Sequence, residues 1–156
     1  MKKLELAWNK TLKLTNYLSC QVNASNINDV DEVNSFMRHL NHIIRINGAK
    51  QIVPLIQHTK LNQDELKVPE FFLGVQCNKI LENIGKPYIM EKEVYIKNCI
   101  YCRYIGPENK QNFAYEKILL EAFERDILLN GNIYTIVVDQ NDELIITDVF
   151  MERANI

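Results

Sequence analysis

Two stretches, LKLTNYLSCQV over Leu12–Val22 and VYIKNCIYCRY over Val94–Tyr104, carry one pattern twice. Leu12, Leu14, Asn16, Leu18, Cys20 and Val22 alternate along the first, and Val94, Ile96, Asn98, Ile100, Cys102 and Tyr104 along the second. Each pair is offset by 82 positions, with Asn matching Asn and Cys matching Cys. A period of two marks a strand with one buried face. Its recurrence marks a duplicated half-domain, and the rest of the chain repeats in the same order.

After the first strand, NASNIND supplies turn and cap formers, and Asn28 or Asp29 can accept from the free N–H groups of a helix start. Val33, Phe36, Met37, Leu40, Ile43 and Ile44 then recur at spacings of three and four, an apolar stripe that needs a sheet to lie on. Asn47-Gly48 stops this helix, because glycine tolerates the left-handed conformation that closes one. KQIVPLIQH and VPEFFLGVQC read as two strands joined by the polar loop TKLNQDELK. Pro54 and Pro69 lack the N–H of a central ladder position and belong at strand ends, edges or bulges.

The connector NKILENIGKPYIMEK leads into the second copy. EVYIKNCIYCRYI is its strand and GPENKQ the turn into a helix expected over Phe113–Leu129, with a stripe of Tyr115, Ile118, Leu119, Ala122 and Phe123. Asn130-Gly131 is expected to stop that helix, at an offset of 83 from Asn47-Gly48. IYTIVVD and ELIITDVFME form the last two strands, joined by the short turn QND. The predicted architecture is α+β within a single domain over residues 1–156, with repeat one over about 10–78, a connector over about 79–92 and repeat two over about 93–153. Two strand-helix-strand-strand repeats join their sheets edge to edge into a mostly antiparallel sheet. Both helices lie on one face, and a groove follows the pseudo-twofold axis.

Composition bounds the function. With 18 Lys plus Arg against 20 Asp plus Glu, no basic excess exists to neutralise a nucleic-acid backbone. Glu5, Trp8 and Asn9 interrupt any signal-like apolar run, and no segment approaches the roughly 20 apolar residues that span a bilayer. A cytoplasmic location is expected, with the four cysteines mostly thiols.

No side-chain set assembles a catalytic centre. Cys99 and Cys102 match C-x-x-C, but three positions along a strand send them to opposite faces, and no second pair completes a metal site; Cys20 and Cys102 read as small core residues. His39 and His42 fall on a solvated helix face, and His58 has no partner that the sequence identifies. For Asp126, either the helix frays or runs past the sheet edge before this point, or the carboxylate faces a polar groove. Asp148 either shares an inward face with Ile146 and Phe150, or is solvated while Ile145 and Val149 point inward. No phosphate loop, serine elbow or H-E-x-x-H occurs, so no enzyme activity, cofactor or metal is expected.

The second half, from about Val94 to Met151, resembles the GyrI-like effector-binding superfamily in YIGP at a strand end, a helix closed by NG, and a last hairpin ending in LIITDVFME. The resemblance implies two strand-helix-strand-strand modules with a ligand groove between them. It also implies a glutamate in the penultimate strand, contacting cationic ligands or serving catalysis. This chain has Tyr134 there, which is no anion near neutral pH.

Over its whole length the chain is similar to Firmicutes proteins encoded in type VII secretion clusters, through YTIVVDQNDELIITDVFME. That likeness implies a cytoplasmic accessory factor or chaperone for a secreted protein substrate or a secretion component. The alternative is a small-molecule effector sensor, acting as a free-standing module since no helix-turn-helix precedes the first strand. Tyr17, Tyr101, Arg103, Tyr134 and Asp148 are the expected ligand or partner contacts, Tyr and Arg being enriched at hot spots. The plain alternative is that these side chains cap an open sheet face.

Overall fold

A computed structural model describes residues 4–23, 29–61 and 68–154. The elements run β1 (Leu6–Val22), α1 (Val30–Ile46), β2 (Gln51–Lys60), β3 (Glu70–Cys77), β4 (Tyr88–Gly106), a short 3-10 turn (Glu108–Lys110), α2 (Asn112–Glu124), β5 (Leu129–Gln140) and β6 (Ile145–Arg153). The expected α+β order is present. All the strand pairings are antiparallel, in the cyclic order β1-β3-β2-β5-β6-β4, so the two three-stranded units join at both edges and the sheet closes into a barrel. Closure leaves no unpaired edge. The sheet therefore has an inner face and an outer face, and both helices lie on the outer one, the single helix-bearing face expected.

The register exposes the pseudo-twofold. At the β1–β4 seam Lys13 stands opposite Tyr95, its own repeat equivalent 82 positions on. At the other seam Gln57 stands opposite Thr135, 78 positions on. The repeat thus shortens by four residues between its strands, because α1 has 17 residues and α2 has 13. One helical turn is missing from the second copy.

That missing turn corrects the reading of the second helix. It ends at Glu124, and Asp126, at φ 55°, takes the left-handed position that Gly48 holds at φ 76° after α1. Asp126 is exposed and lies beyond the helix end, the first of the two alternatives posed for it. Asn130-Gly131 lies inside β5 instead of closing a helix. The buried stripe of α2 is Ala114, Ile118 and Ala122, with Tyr115 half-buried, whereas Leu119 and Phe123 are 46% and 80% exposed. The shorter helix meets the sheet along a narrower line than 3.6-residue spacing implied.

The alternation in β1 and β4 is not continuous, and the repeated asparagines are the reason. Asn16 and Asn98 sit at φ 49° and 60°. A single residue in that region turns the strand over. Before it, Leu12, Leu14, Val94 and Ile96 face the inner cluster with Ile56 and Tyr134. After it, Leu18 joins Leu40, Ile44 and Val75 beneath α1, while Ile100, Cys102 and Tyr104 join Ile118 and Val149 beneath α2. One even-numbered run therefore supplies two cores. Asparagine suits the position because its short polar side chain tolerates the left-handed region; Asn16 Nδ2 also donates to the Cys77 carbonyl at 3.3 Å.

The first helix follows its predicted stripe, with Leu40 and Ile44 fully buried. Asp29 is its cap, accepting from the Asp31 and Glu32 amides. Asn28, the other candidate, and residues 62–67 of the β2–β3 loop lie outside the described residues. Pro54 falls in the register shift between Ile52 and Ile56, and Pro69 just precedes β3, the bulge and end positions expected. Cys20, Cys77, Cys99 and Cys102 are all buried free thiols. Among the described residues no helix is long and apolar enough to cross a membrane.

Candidate functional site

The two sheet faces offer different chemistry. On the inner face β2, β3 and β5 bring Phe72, His58 and Tyr134 into a column. The His58 and Tyr134 rings stack at 4.1 Å with 8° between planes, and His58 lies 5.5 Å from Phe72. Antiparallel pairing dictates the stack, since His58 and Tyr134 are direct cross-strand partners. His58 Nε2 donates to Asn132 Oδ1 at 3.0 Å, and Asn132 Nδ2 donates to Glu152 Oε2 at 3.2 Å. The sequence offered His58 no partner because all of these lie on other strands.

Burial pushes the His58 pKa below the ordinary histidine value, an effect only partly offset by the Asn132 bond. The fold therefore favours neutral imidazole. Its contribution to stability is complete above the unfolded pKa of about 6.5 and is lost as pH falls below that value through the depressed folded one. Urea titrations at pH 7.5 and 5.0 should show stability falling on acidification. The fall should be smaller in His58→Gln; an identical fall in both proteins would rule His58 out as the source.

Tyr17 lies deeper. Its ring covers Gly74, where an added Cβ would come within 2.6 Å of the ring. Its hydroxyl is buried with no hydrogen-bond partner within bonding geometry among the described residues. Burial foremost, then Tyr134 and Glu91, push its pKa well up. Tyr134 is raised likewise, by burial and by the carboxylates of Glu91 and Glu152.

A second inner-face cluster joins β4 to β6. Arg103 Nε and Nη2 donate to the two Asp148 carboxylate oxygens at 2.7 and 2.9 Å, and Tyr101 Oη donates to Oδ1 at 2.7 Å. Burial and this bond push the Tyr101 pKa up to about 12. The first alternative posed for Asp148 describes its placement, on the inner face with Phe150. Ile145 and Val149 do face the outer core, but Asp148 is held by Arg103 and Tyr101 rather than being solvated.

The five contacts named from sequence thus share a face and fall into two groups, Tyr17 with Tyr134 and Tyr101 with Arg103 and Asp148. The bland option for His39 and His42 matches their exposure on α1, His39 lying 6.0 Å from the Tyr88 ring.

A space of about 320 Å³ lies beside Tyr101 and Arg103, lined also by Glu5, Ala7 and Ile105; a larger one lies on the other side. On the outer face, between the N-terminal ends of α1 and α2, is a hollow of about 460 Å³. Gln57 and Thr135, the pair on the pseudo-twofold axis, form its floor. Val30, Val33 and Asn34 of α1 and Gln111, Asn112 and Tyr115 beside and within α2 form its walls. The Tyr115 hydroxyl bonds the Thr135 hydroxyl and ties α2 to the floor. Glu108 on the rim accepts from Gln140 Nε2 at 2.9 Å. A groove on the dyad was expected, but the sequence did not identify these lining residues. Their only signal was position, since both helix starts follow a strand that reaches the dyad.

No known protein-family profile matches the chain, and no curated protein sequence does. Solved structures do share its fold. The EcmrR C-terminal domain superposes with a TM-score of 0.66 at 13% identity, covering 99% of this chain and 98% of that one. EcmrR in its complex with DNA gives 0.68 at 14% identity over 98% of this chain, which spans only 58% of that one. A Staphylococcus aureus MU50 protein described as a bacterial transcription regulation protein gives 0.51 at 8% identity, covering 98% of this chain and 99% of that one. The two-module architecture implied by the GyrI-like resemblance is thus the fold observed. None of the three is described as a secretion component.

Proposed function

We propose that the chain is a small-molecule effector-binding module of the GyrI-like type, and that its ligand sits in the hollow between the two helices. The observation that carries this reading is the hollow's place on the pseudo-twofold axis, with both modules contributing floor and wall. Its volume of about 460 Å³ falls within the ~300–1,000 Å³ usual for small-molecule sites. The likeness to the EcmrR C-terminal domain over nearly the full length of both chains supports it. The inner face is a poorer candidate, being packed with Leu12, Leu14, Tyr17, Ile56 and Tyr134. The accessory-factor reading, a chaperone for a type VII-secreted substrate, rests on the likeness of the last hairpin alone; nothing described above favours it.

Thermal-shift screening tests the proposal. A compound at a hundredfold excess over its Kd stabilises the native state by about 2.7 kcal/mol, or roughly 5–10 °C for a chain of this size. Asn34 is exposed and lines the hollow from α1, so Asn34→Trp should fill the space without disturbing the core and abolish the shift. Shifts that survive Asn34→Trp would place the ligand elsewhere.

A further inference from the structure

We propose that the hollow selects an uncharged cyclic amide, a heterocycle or cyclic dipeptide with a lactam edge, in preference to an ion of either sign; this rests on the effector reading above. Apart from Glu108 on the rim, the polar groups of the described residues that face the space are neutral. Gln57 on the floor, Gln111 and Asn112 beside α2, and Asn34 on α1 present primary amides, each able to donate and accept together. None of the four amides makes a hydrogen bond among the described residues. A lactam edge also donates and accepts side by side, and so matches a primary amide in two bonds.

Charge is absent from the lining except at Glu108, whose carboxylate is already engaged by Gln140. Among the described residues no Lys, Arg, His or Asp lines the hollow. The helix N-termini that open onto it carry partial positive charge, but each has a carboxylate supply of its own. Asp29 caps α1, with Asp31 and Glu32 in its first turn, and Glu108 lies just ahead of α2. An anion would find those ends compensated, and a cation would find one carboxylate, Glu108, on the rim and already accepting from Gln140. An anion would lose hydration with no ion pair to replace it, and a cation would regain at most that one rim contact.

The walls decide between neutral classes. Val30, Val33, Leu55, Val137 and Ile145 are aliphatic, and Tyr115 adds an aromatic ring. A sugar would leave hydroxyls against these surfaces unpaired. A heterocycle or a cyclic dipeptide with apolar side chains places carbon on them and keeps its polar edge for the amides.

Isothermal titration of the whole chain with four probes tests this: cyclo(Leu-Val), thymine, benzyltriethylammonium and 2-naphthoate. The expected result is binding of at least one lactam probe, weakened tenfold or more in Gln57→Leu or Gln111→Leu and lost in Asn34→Trp, with neither ion bound. If an ion binds and Asn34→Trp abolishes it, the ligand class is wrong while the effector site stands. Lactam binding that is indifferent to both Gln→Leu changes also overturns the class. If none of the four probes binds, the class assignment is overturned; the effector site itself then falls only if a broad thermal-shift screen is flat as well.

Discussion

Gly131→Ala should lower the unfolding free energy by about 3 kcal/mol, read as a shift in the urea midpoint with an unchanged slope. Two costs combine. Gly131 holds φ 95°, which side chains rarely adopt, and an added Cβ would stand 2.2 Å from the Leu61 carbonyl oxygen. The conformational part costs about 1–2 kcal/mol and the overpacking about 1–3 kcal/mol. Neither can relax locally, since Leu61 donates its own N–H to the Gly131 carbonyl at 2.8 Å and so ties the end of β2 to β5. Gly48→Ala separates the terms. Gly48 also has positive φ, but its added Cβ would meet only the flexible end of Lys79 at 3.4 Å, so about 1 kcal/mol is expected there. Equal losses at the two sites would refute the steric part.

The second large effect is expected at the strand switches. Asn98→Val should cost about 2 kcal/mol, because a β-branched side chain is strained in the left-handed region. The strand also cannot escape by adopting ordinary extended geometry. Doing so would rotate Ile100, Cys102 and Tyr104 away from α2 and exchange them with Cys99 and Tyr101. Asn98→Gly should be nearly neutral, glycine taking positive φ freely. At Asn16 the valine cost should be similar and the glycine cost larger, because Asn16 also bonds the Cys77 carbonyl. If Asn98→Val is as stable as the parent in denaturant titration, the switch is not what fixes the register.

These two sites also mark where local pattern stops being informative. The duplicated Asn in LKLTNYLSCQV and VYIKNCIYCRY was visible as a repeat, and it correctly announced two equivalent modules. Its physical role was not visible. Period-two alternation assigns every even residue to one face, and only the positive φ at Asn16 and Asn98 divides each run between an inner core and a helix-covered one. The second Asn-Gly pair misled for a related reason. As a local signal it equals the first, but α2 is a turn shorter, so the pair falls in β5, where Gly131 serves a close backbone approach instead.

Site residues divide in the same way. Tyr17, Tyr101, Arg103, Tyr134 and Asp148 were named from residue type and position. The structure puts them on one face of the sheet, with Asp148 paired by Arg103 and Tyr101. His58, Asn132 and Glu152 form a chain across three strands, and the hollow combines Asn34, Gln57, Gln111 and Thr135 from both modules. No spacing rule joins positions so far apart in sequence.

The sequence by itself determined the element order, the duplication, the apolar stripe of α1, a helix cap at Asn28 or Asp29, and strand-end, edge or bulge positions for Pro54 and Pro69. Those follow from short-range periodicity and backbone preference, which each segment carries alone. Tertiary structure decided the closure of the sheet into a barrel, the length of α2 and the location of open space on the dyad. Closure requires both seams to pair in register at once, Lys13 with Tyr95 and Gln57 with Thr135, and that long-range condition is met only when the two copies fold against each other.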